Sequence, residues 1–264
     1  MRIAHLSDVH VLEPRPAVGE GYTWRTRVVS YARRLDARAR AAKLRRSLAA
    51  AHERGASHIV ITGDLTEIGN PRQYDVFAEI LHDSRITPDR ITLVPGNHDA
   101  YTSHDAWSRA MMGSLAAFAA SSAGEHGKVI DRGDVVFLPI NAARFQSITR
   151  AGGEVTREAC DAIEGRLRDP GLRRRVVVFV QHHPPFEPRG RVSGWIDGLE
   201  GAARLMDVAQ QHPNVQILHG HLHKGSHCHV GRCRAFGAPA VVDDRSEARV
   251  SLYDLKGGVL ERAA

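Results

Sequence analysis

Five short polar stretches of this 264-residue chain carry side chains that bind metals or move protons. They are "SDVH" with Asp8 and His10, "TGDLT" with Asp64, "PGNHDA" with Asn97, His98 and Asp99, "VQHHPPF" with His182 and His183, and "HGHLH" with His221 and His223. Singly, each has an ordinary explanation, because Gly, Asn and Asp close turns and histidines can be packed and hydrogen-bonded. Jointly, four His, two Asp and one Asn supply nitrogen and oxygen donors without a thiolate. That set suits Mn, Fe, Co or Zn and argues against a closed structural zinc. Seven donors are too many for one ion and right for two, if one carboxylate bridges. Two ions held close together clamp phosphoryl oxygens and generate hydroxide at neutral pH. A set of buried, hydrogen-bonded histidines is the plain alternative, but it leaves the carboxylates without a purpose.

These stretches need elements that bring them together, and each follows a short apolar run. Strands are expected at "RIAHL" (2–6), "HIVIT" (58–62), "RITLV" (90–94), "DVVFLPI" (134–140), "RVVVFV" (175–180) and "NVQIL" (214–218). Most are continuously apolar, as in strands covered on both faces. Helices are expected over 36–53, after an Asn70 cap with Pro71 in first position, after a Thr156 cap, and more weakly over 198–211. The end of the chain, "SHCHVGRCRAFG", "PAVVD" and "RVSLYDL", reads as antiparallel strands with a turn near Gly231. Strand–helix alternation followed by a β-rich end predicts an α/β sandwich with helices outside its sheets, in one domain over 1–264. Ligand sites in such folds gather beyond the carboxyl ends of the strands, where all five stretches lie.

Composition is that of a soluble globular protein, with 42% hydrophobic and 25% charged residues. Three cysteines make no disulfide framework, and neither a signal-peptide core nor a membrane-length apolar run is seen. A soluble cytoplasmic protein is expected. The net charge of +6 favours anionic partners without naming one.

The order "DVH … GDLT … GNHD … HHPPF … GHLH" resembles the calcineurin-like metallophosphoesterase family, and within it the bacterial class III cyclic-nucleotide and glycerophosphodiester phosphodiesterase branch. All five motifs are present between residues 8 and 223. The resemblance implies a four-layer α/β/β/α sandwich and two divalent or trivalent metal ions, Mn, Fe, Zn or Co. It implies that Asp8, His10 and His223 hold the first metal, that Asn97, His182 and His221 hold the second, and that Asp64 bridges them. A metal-bridging hydroxide would attack phosphorus in line. His98 would steady the transition-state charge or protonate the leaving alkoxide, with Asp99 orienting its ring and Gly96 permitting the turn. The implied substrate is a small phosphodiester. Phosphomonoesters and a nucleotide-linked lipid pyrophosphate are the alternatives, and a non-enzymatic scaffold is disfavoured by the intact donor set.

Two segments depart from the family pattern. Residues 25–55 hold nine Arg and one Lys. They are expected to form a helical insertion whose Arg33, Arg34, Arg38 and Arg40 make a solvated face; attraction of nucleic acid or anionic lipid is the less favoured reading. Residues 101–128 form a variable helical segment, with Trp107, Met111, Met112, Leu115 and Phe118 expected in the core rather than in a lid. Arg144, Arg189 and Arg191 are candidates for contacting a second phosphate or a sugar. His183 is expected to pack behind the ligands, and His5, His52, His58, His82 and His212 to be ordinary core or surface residues. "HCHVGRC" is read as a hairpin with His227 and His229 on one face, not as a zinc site. No feature sets the oligomeric state, and a homodimer is compatible with the sequence.

Overall fold

Every apolar run forms a strand. The computed structural model describes all residues except 15–21, 32, 187–190 and 264, and the side chains of 191–193 are also not described. In chain order the strands are β1 Arg2–Leu6, β2 His58–Thr62, β3 Ile91–Val94, β4 Ile130–Arg132, β5 Val135–Pro139, β6 Gly153–Glu154 and β7 Val176–Val180. They continue with β8 Leu199–Glu200, β9 Val215–His219, β10 Ser226–Val230, β11 Cys233–Gly237, β12 Ser251–Lys256 and β13 Val259–Arg262. The helices are α1 Trp24–Val29, α2 Ala37–Glu53, α3 Pro71–Asp83, α4 Ala106–Met112, α5 Arg157–Leu167, α6 Arg191–Asp197 and α7 Ala202–Gln210. None is long and apolar enough to cross a membrane. Asn70 and Thr156 cap as expected, accepting from the backbone N–H of Arg72 at 2.9 Å and of Ala159 at 3.2 Å.

Two sheets form, with strand orders β13-β12-β1-β2-β3 and β10-β11-β9-β7-β5-β4; β6 and β8 make a small separate pair. β1, β2 and β3 run parallel, as do β5, β7, β9 and β11. Successive side chains point to opposite faces of a strand, and here both faces are apolar. Phe137, Val176 and Val178 share a core with Leu44 and Leu48 of α2 and Phe77 of α3. Their neighbours Val136, Val177 and Phe179 share another with Ile163 of α5 and Leu205 of α7. The two sheets meet face to face. The His58 ring stacks on Phe137 with centroids 4.6 Å apart, and Phe236 meets Tyr253 at 4.9 Å. The result is the four-layer α/β/β/α sandwich.

The structure corrects several local expectations. "PAVVD" is not a strand but a single 3₁₀ turn at Val241–Asp243. The backbone N–H groups of Val241 and Val242 donate to the carbonyls of Ser7 and Asp8, so this segment covers the loop after β1 instead of joining a ladder. The helical segment after residue 101 breaks at Gly113, leaving α4 and a 3₁₀ turn at Ala116–Ser121. Trp107, Leu115 and Phe118 are buried as expected, whereas Met112 is 76% exposed. The last strand, β13, has no clear apolar signature in sequence.

Candidate metal centre

The polar stretches follow β1, β2 and β3 of one sheet and β7 and β9 of the other, so the site spans the carboxyl ends of both sheets. The backbone there is strained. Among the described residues six that are not glycine have positive φ, and five of these are Asp8 (53°), His10 (51°), Asp64 (50°), His221 (69°) and His223 (57°). Left-handed backbone costs a residue with a Cβ roughly 1–2 kcal/mol. The loops are held in place by one another. The N–H of Asp8 donates to the Gly63 carbonyl at 3.1 Å, that of His10 to the Asp64 carbonyl at 2.8 Å, and that of His221 to Asp8 Oδ2 at 3.1 Å.

Asp64 lies at the centre. Its Oδ2 is 3.4 Å from His182 Nε2, 3.6 Å from His10 Nε2 and 3.9 Å from His98 Nε2. Asp8 Oδ1 lies 3.4 Å from His223 Nε2. Two donors each about 2.1 Å from a shared ion, at a tetrahedral angle, stand about 3.4 Å apart, so these spacings fit coordination. Asp8 with His10 and His223, and Asp8 with Asp64 and His182, each bring one ligand atom per residue within 4.8 Å of the others, as do His182, His183 and His221.

Other groups aim these donors. His182 Nδ1 donates to the Thr62 carbonyl at 2.7 Å, which turns Nε2 toward Asp64. His223 Nδ1 faces Asp243 Oδ2 at 3.0 Å, and His10 Nδ1 faces Glu67 Oε2 at 3.4 Å. Asn97 Nδ2 donates to Tyr101 Oη at 2.9 Å, and Tyr101 Oη donates in turn to the Arg150 carbonyl at 2.8 Å. That turns Asn97 Oδ1 inward. Glu67 is itself enclosed, accepting from Ser30 Oγ at 2.6 Å, from Arg33 Nη2 at 2.9 Å and from Arg40 Nη1.

The donor set fits a metal. Asp8 Oδ1, both ring nitrogens of His10, Asn97 Oδ1 and His182 Nε2 are among the buried atoms of the described residues that lack a hydrogen-bond partner. Each such atom costs about 1–3 kcal/mol, a cost relieved by coordination. Burial pushes His10 down to about 3 and His221 well below the ordinary imidazole range, so both rings are neutral, as ligands must be. Burial raises the Asp8 carboxyl. At Asp64 burial also acts upward, but the neighbouring His182 and His98 outweigh it and hold that carboxyl well below its usual range. Two buried carboxylates this close require positive charge beside them.

The seven residues expected to bind metal, Asp8, His10, Asp64, Asn97, His182, His221 and His223, all line this centre. His98 lies beside it, its ring in edge contact with that of His10 at 4.4 Å. Asp99 takes a different place. Its carboxylate accepts from the N–H groups of Leu65, Thr66 and Gly96 and from Thr66 Oγ1. His98 Nδ1 donates instead to the Glu67 carbonyl at 2.7 Å. Asp99 therefore braces the loops and does not orient the ring. Gly96 is required by proximity and not by its φ, because a Cβ there would overlap the Asp64 carboxylate. His183 lies beside His182 and His221, with Nε2 donating to the Ala151 carbonyl at 2.9 Å.

The arginines divide. Arg40 is 2% exposed and donates to Glu67 and to the His10 carbonyl, which contradicts a solvated helix face. Arg33 also turns to Glu67, whereas Arg34 and Arg38 are exposed. Arg144 pairs with Glu200 at 2.8 Å and Glu154 at 3.7 Å, so its charge is already met. Arg189 and the Arg191 side chain lie outside the described residues. Sequence reasoning missed Glu67, Asp243 and Tyr101. Glu67 stands three residues after Asp64, a spacing that could have marked it; Asp243 was hidden inside the supposed strand.

A cleft of about 410 Å³ opens beside His221, lined by Pro184, Phe186, Asp197 and Leu222. The profile of the family described as calcineurin-like phosphoesterase matches residues 1–225. The chain is 24% identical over 225 residues to a 3',5'-cyclic-nucleotide phosphodiesterase from Nostoc sp., covering 84% of this chain and 71% of the relative. It is 27% identical over 166 residues to a glycerophosphodiester phosphodiesterase from Enterobacter lignolyticus, covering 62% of this chain and 55% of that one. In fold it is similar to a dimetal phosphatase from Danio rerio, with a TM-score of 0.70, 13% identity, and coverage of 97% of this chain and 93% of that one. This chain belongs to the calcineurin-like phosphoesterase family and is a metal-dependent phosphoester hydrolase.

Proposed function

We propose that the chain is a dinuclear phosphodiesterase acting on a small diester of the cyclic-nucleotide or glycerophosphodiester type. The observation that supports this best is the convergence of unpartnered buried donors on Asp64. Asp8, His10 and His223 would hold one ion and Asn97, His182 and His221 the other, with Asp64 shared between them. When bound, two such ions neutralise phosphoryl oxygens and make water nucleophilic at neutral pH.

The chain's own groups do the rest. Thr62 and Asp243 fix two imidazoles so that Nε2 is the nitrogen presented to the centre, and Glu67 stands 3.4 Å from Nδ1 of a third, His10. His98 donates through Nδ1 to a carbonyl, so its Nε2 faces the centre and is free to steady charge on a phosphoryl oxygen or exchange a proton with the leaving alkoxide. The cleft beside His221 offers apolar walls from Phe186 and Leu222 for an organic substituent, and a diester carries two such groups where a monoester carries one. The two curated relatives are both named as phosphodiesterases.

The test is a panel of phosphomono-, phosphodi- and pyrophosphate esters, with Mn added to metal-stripped protein. Greatest kcat/KM for cyclic nucleotides or glycerophosphodiesters is expected. Preference for monoesters or for pyrophosphates would replace the diester reading.

A further inference from the structure

Helix α1 is built inside out. Its polar residues Thr26 and Ser30 are buried, with Ser30 Oγ donating to Glu67 Oε1 at 2.6 Å. Three apolar residues face solvent, while Val29 is half-buried: Trp24 is 66% exposed, Val28 53%, and Tyr31, in the turn that follows, 95%. Positions 24, 28 and 31 are spaced i, i+4, i+7, so they share one face, and the Tyr31 N–H continues the turn by donating to the Val28 carbonyl at 3.2 Å. A soluble helix ordinarily buries such a stripe. This one cannot turn over, because its polar face is committed to the Glu67 network beside His10.

Exposed cations lie close to the stripe in sequence. Arg25, Arg27, Arg34 and Arg38 are exposed, and between residues 22 and 38 the sole acidic residue is Asp36, whose carboxylate caps α2 by accepting from the Ala39 N–H. Arg38 also borders a groove of about 690 Å³ with apolar walls from Leu12, Pro14, Tyr22, Leu35 and Val76. Three exposed apolar side chains within a stretch rich in exposed arginines match the boundary of an anionic bilayer, where rings and methyl groups enter the acyl region and guanidinium groups meet phosphates. A second copy of the chain meeting this face across a twofold axis would bring two arginine sets together. Single-stranded nucleic acid stacks on open rings, but Val28 has none and the Arg25 guanidinium already lies 5.8 Å from the centre of the Trp24 ring.

We propose that the Trp24–Val28–Tyr31 face of α1, with Arg25, Arg34 and Arg38, docks the protein on anionic lipid surfaces. None of these side chains belongs to the metal centre, so docking and hydrolysis are separable. The test is flotation of the full-length protein with vesicles of phosphatidylcholine alone or with 30% (about one lipid in three) phosphatidylglycerol, at low and high salt. Binding is expected only to the anionic vesicles and is weakened by salt. Changing Arg25, Arg34 and Arg38 to Gln should weaken it roughly 10²-fold, at about fivefold per cation. Changing Trp24, Val28 and Tyr31 to Ser should abolish it at every salt concentration. Both variants should keep wild-type turnover of a soluble p-nitrophenyl ester and wild-type melting, which shows that they fold. Absence of binding to anionic vesicles, equal binding to neutral ones, or indifference to the Ser substitutions would overturn the proposal. Loss of a dimer in the Ser variant by light scattering would instead assign the face to self-association, and loss of oligonucleotide binding without vesicle binding would assign it to nucleic acid.

Discussion

Replacing Arg40 by Met tests whether the arginine-rich helix α2 serves the site or only solvates a surface. The Arg40 side chain donates to Glu67 Oε2, to the His10 carbonyl at 2.9 Å and, through Nη2, to the Arg34 carbonyl at 2.9 Å. Arg40→Met keeps the apolar stem and removes all of these donors. Breaking a buried ion pair costs about 3–5 kcal/mol, because the remaining charge is left without its partner. Glu67 retains Ser30 and Arg33, which places the loss near the lower end, at about 3 kcal/mol. With an unfolding entropy of about 2.1 cal/mol/K per residue, a chain of 264 residues has about 0.55 kcal/mol/K, so the melting temperature should fall by about 5 °C. Calorimetry on metal-stripped protein measures this without a contribution from ion binding. Arg40→Met/Glu67→Gln should recover part of the loss, since the group left behind is neutral. A subsequent Mn titration should show affinity lowered about 10–100-fold, because the backbone and ring partner of His10 are both disturbed. Changing the exposed Arg34 and Arg38 to Gln should shift melting by less than about 2 °C. Arg40→Met melting within about 1 °C of wild type, with Mn affinity unchanged, would refute the network and restore the solvated-face reading.

Three further outcomes follow from the geometry. Asp64→Asn should abolish turnover and cut metal content, since Asp64 is the carboxylate proposed to be shared by both ions; full metal content with near-normal turnover would rule out a shared bridging carboxylate. His98→Ala should keep both metals and lower turnover roughly 10²–10⁴-fold, with a smaller loss for p-nitrophenyl esters, whose leaving group needs little protonation; loss of metal in this variant would place His98 among the ligands. Burial holds His58 at about 3 in the folded chain, against about 6.5 unfolded, so between those values the unfolded state binds the extra proton and stability falls as pH falls. From pH 7.5 to 5.5, wild type should therefore lose about 1.4 kcal/mol more than His58→Gln in urea unfolding, and parallel losses would show that His58 titrates normally in the fold.

Much of the architecture was legible in the chain itself. Short continuous β-branched runs favour strands covered on both faces, and the caps at Asn70 and Thr156 act within three residues, so local chemistry specifies them. The set of residues that gathers at the candidate centre was legible for a related reason. Each donor immediately follows a strand, and a strand's end is set by the point at which apolar residues stop.

Tertiary structure decided what those donors lean on. Glu67 and Arg40 are separated by 27 residues, and His223 and Asp243 by 20, and sequence alone holds no rule pairing charges across such gaps. Arg40 illustrates the limit, because a guanidinium on an Ala- and Arg-rich helix looks solvated until a buried carboxylate is placed opposite it. Asp99 shows the same from the other side. Its neighbour in sequence is His98, but its hydrogen-bond donors come from Leu65 and Thr66 on another loop, and the imidazole turns to a backbone carbonyl that no side-chain pattern encodes. The outward face of α1 was equally hidden. Its i, i+4, i+7 apolar stripe predicts burial, and only the bond from Ser30 to the buried Glu67 fixes which side of the helix meets water.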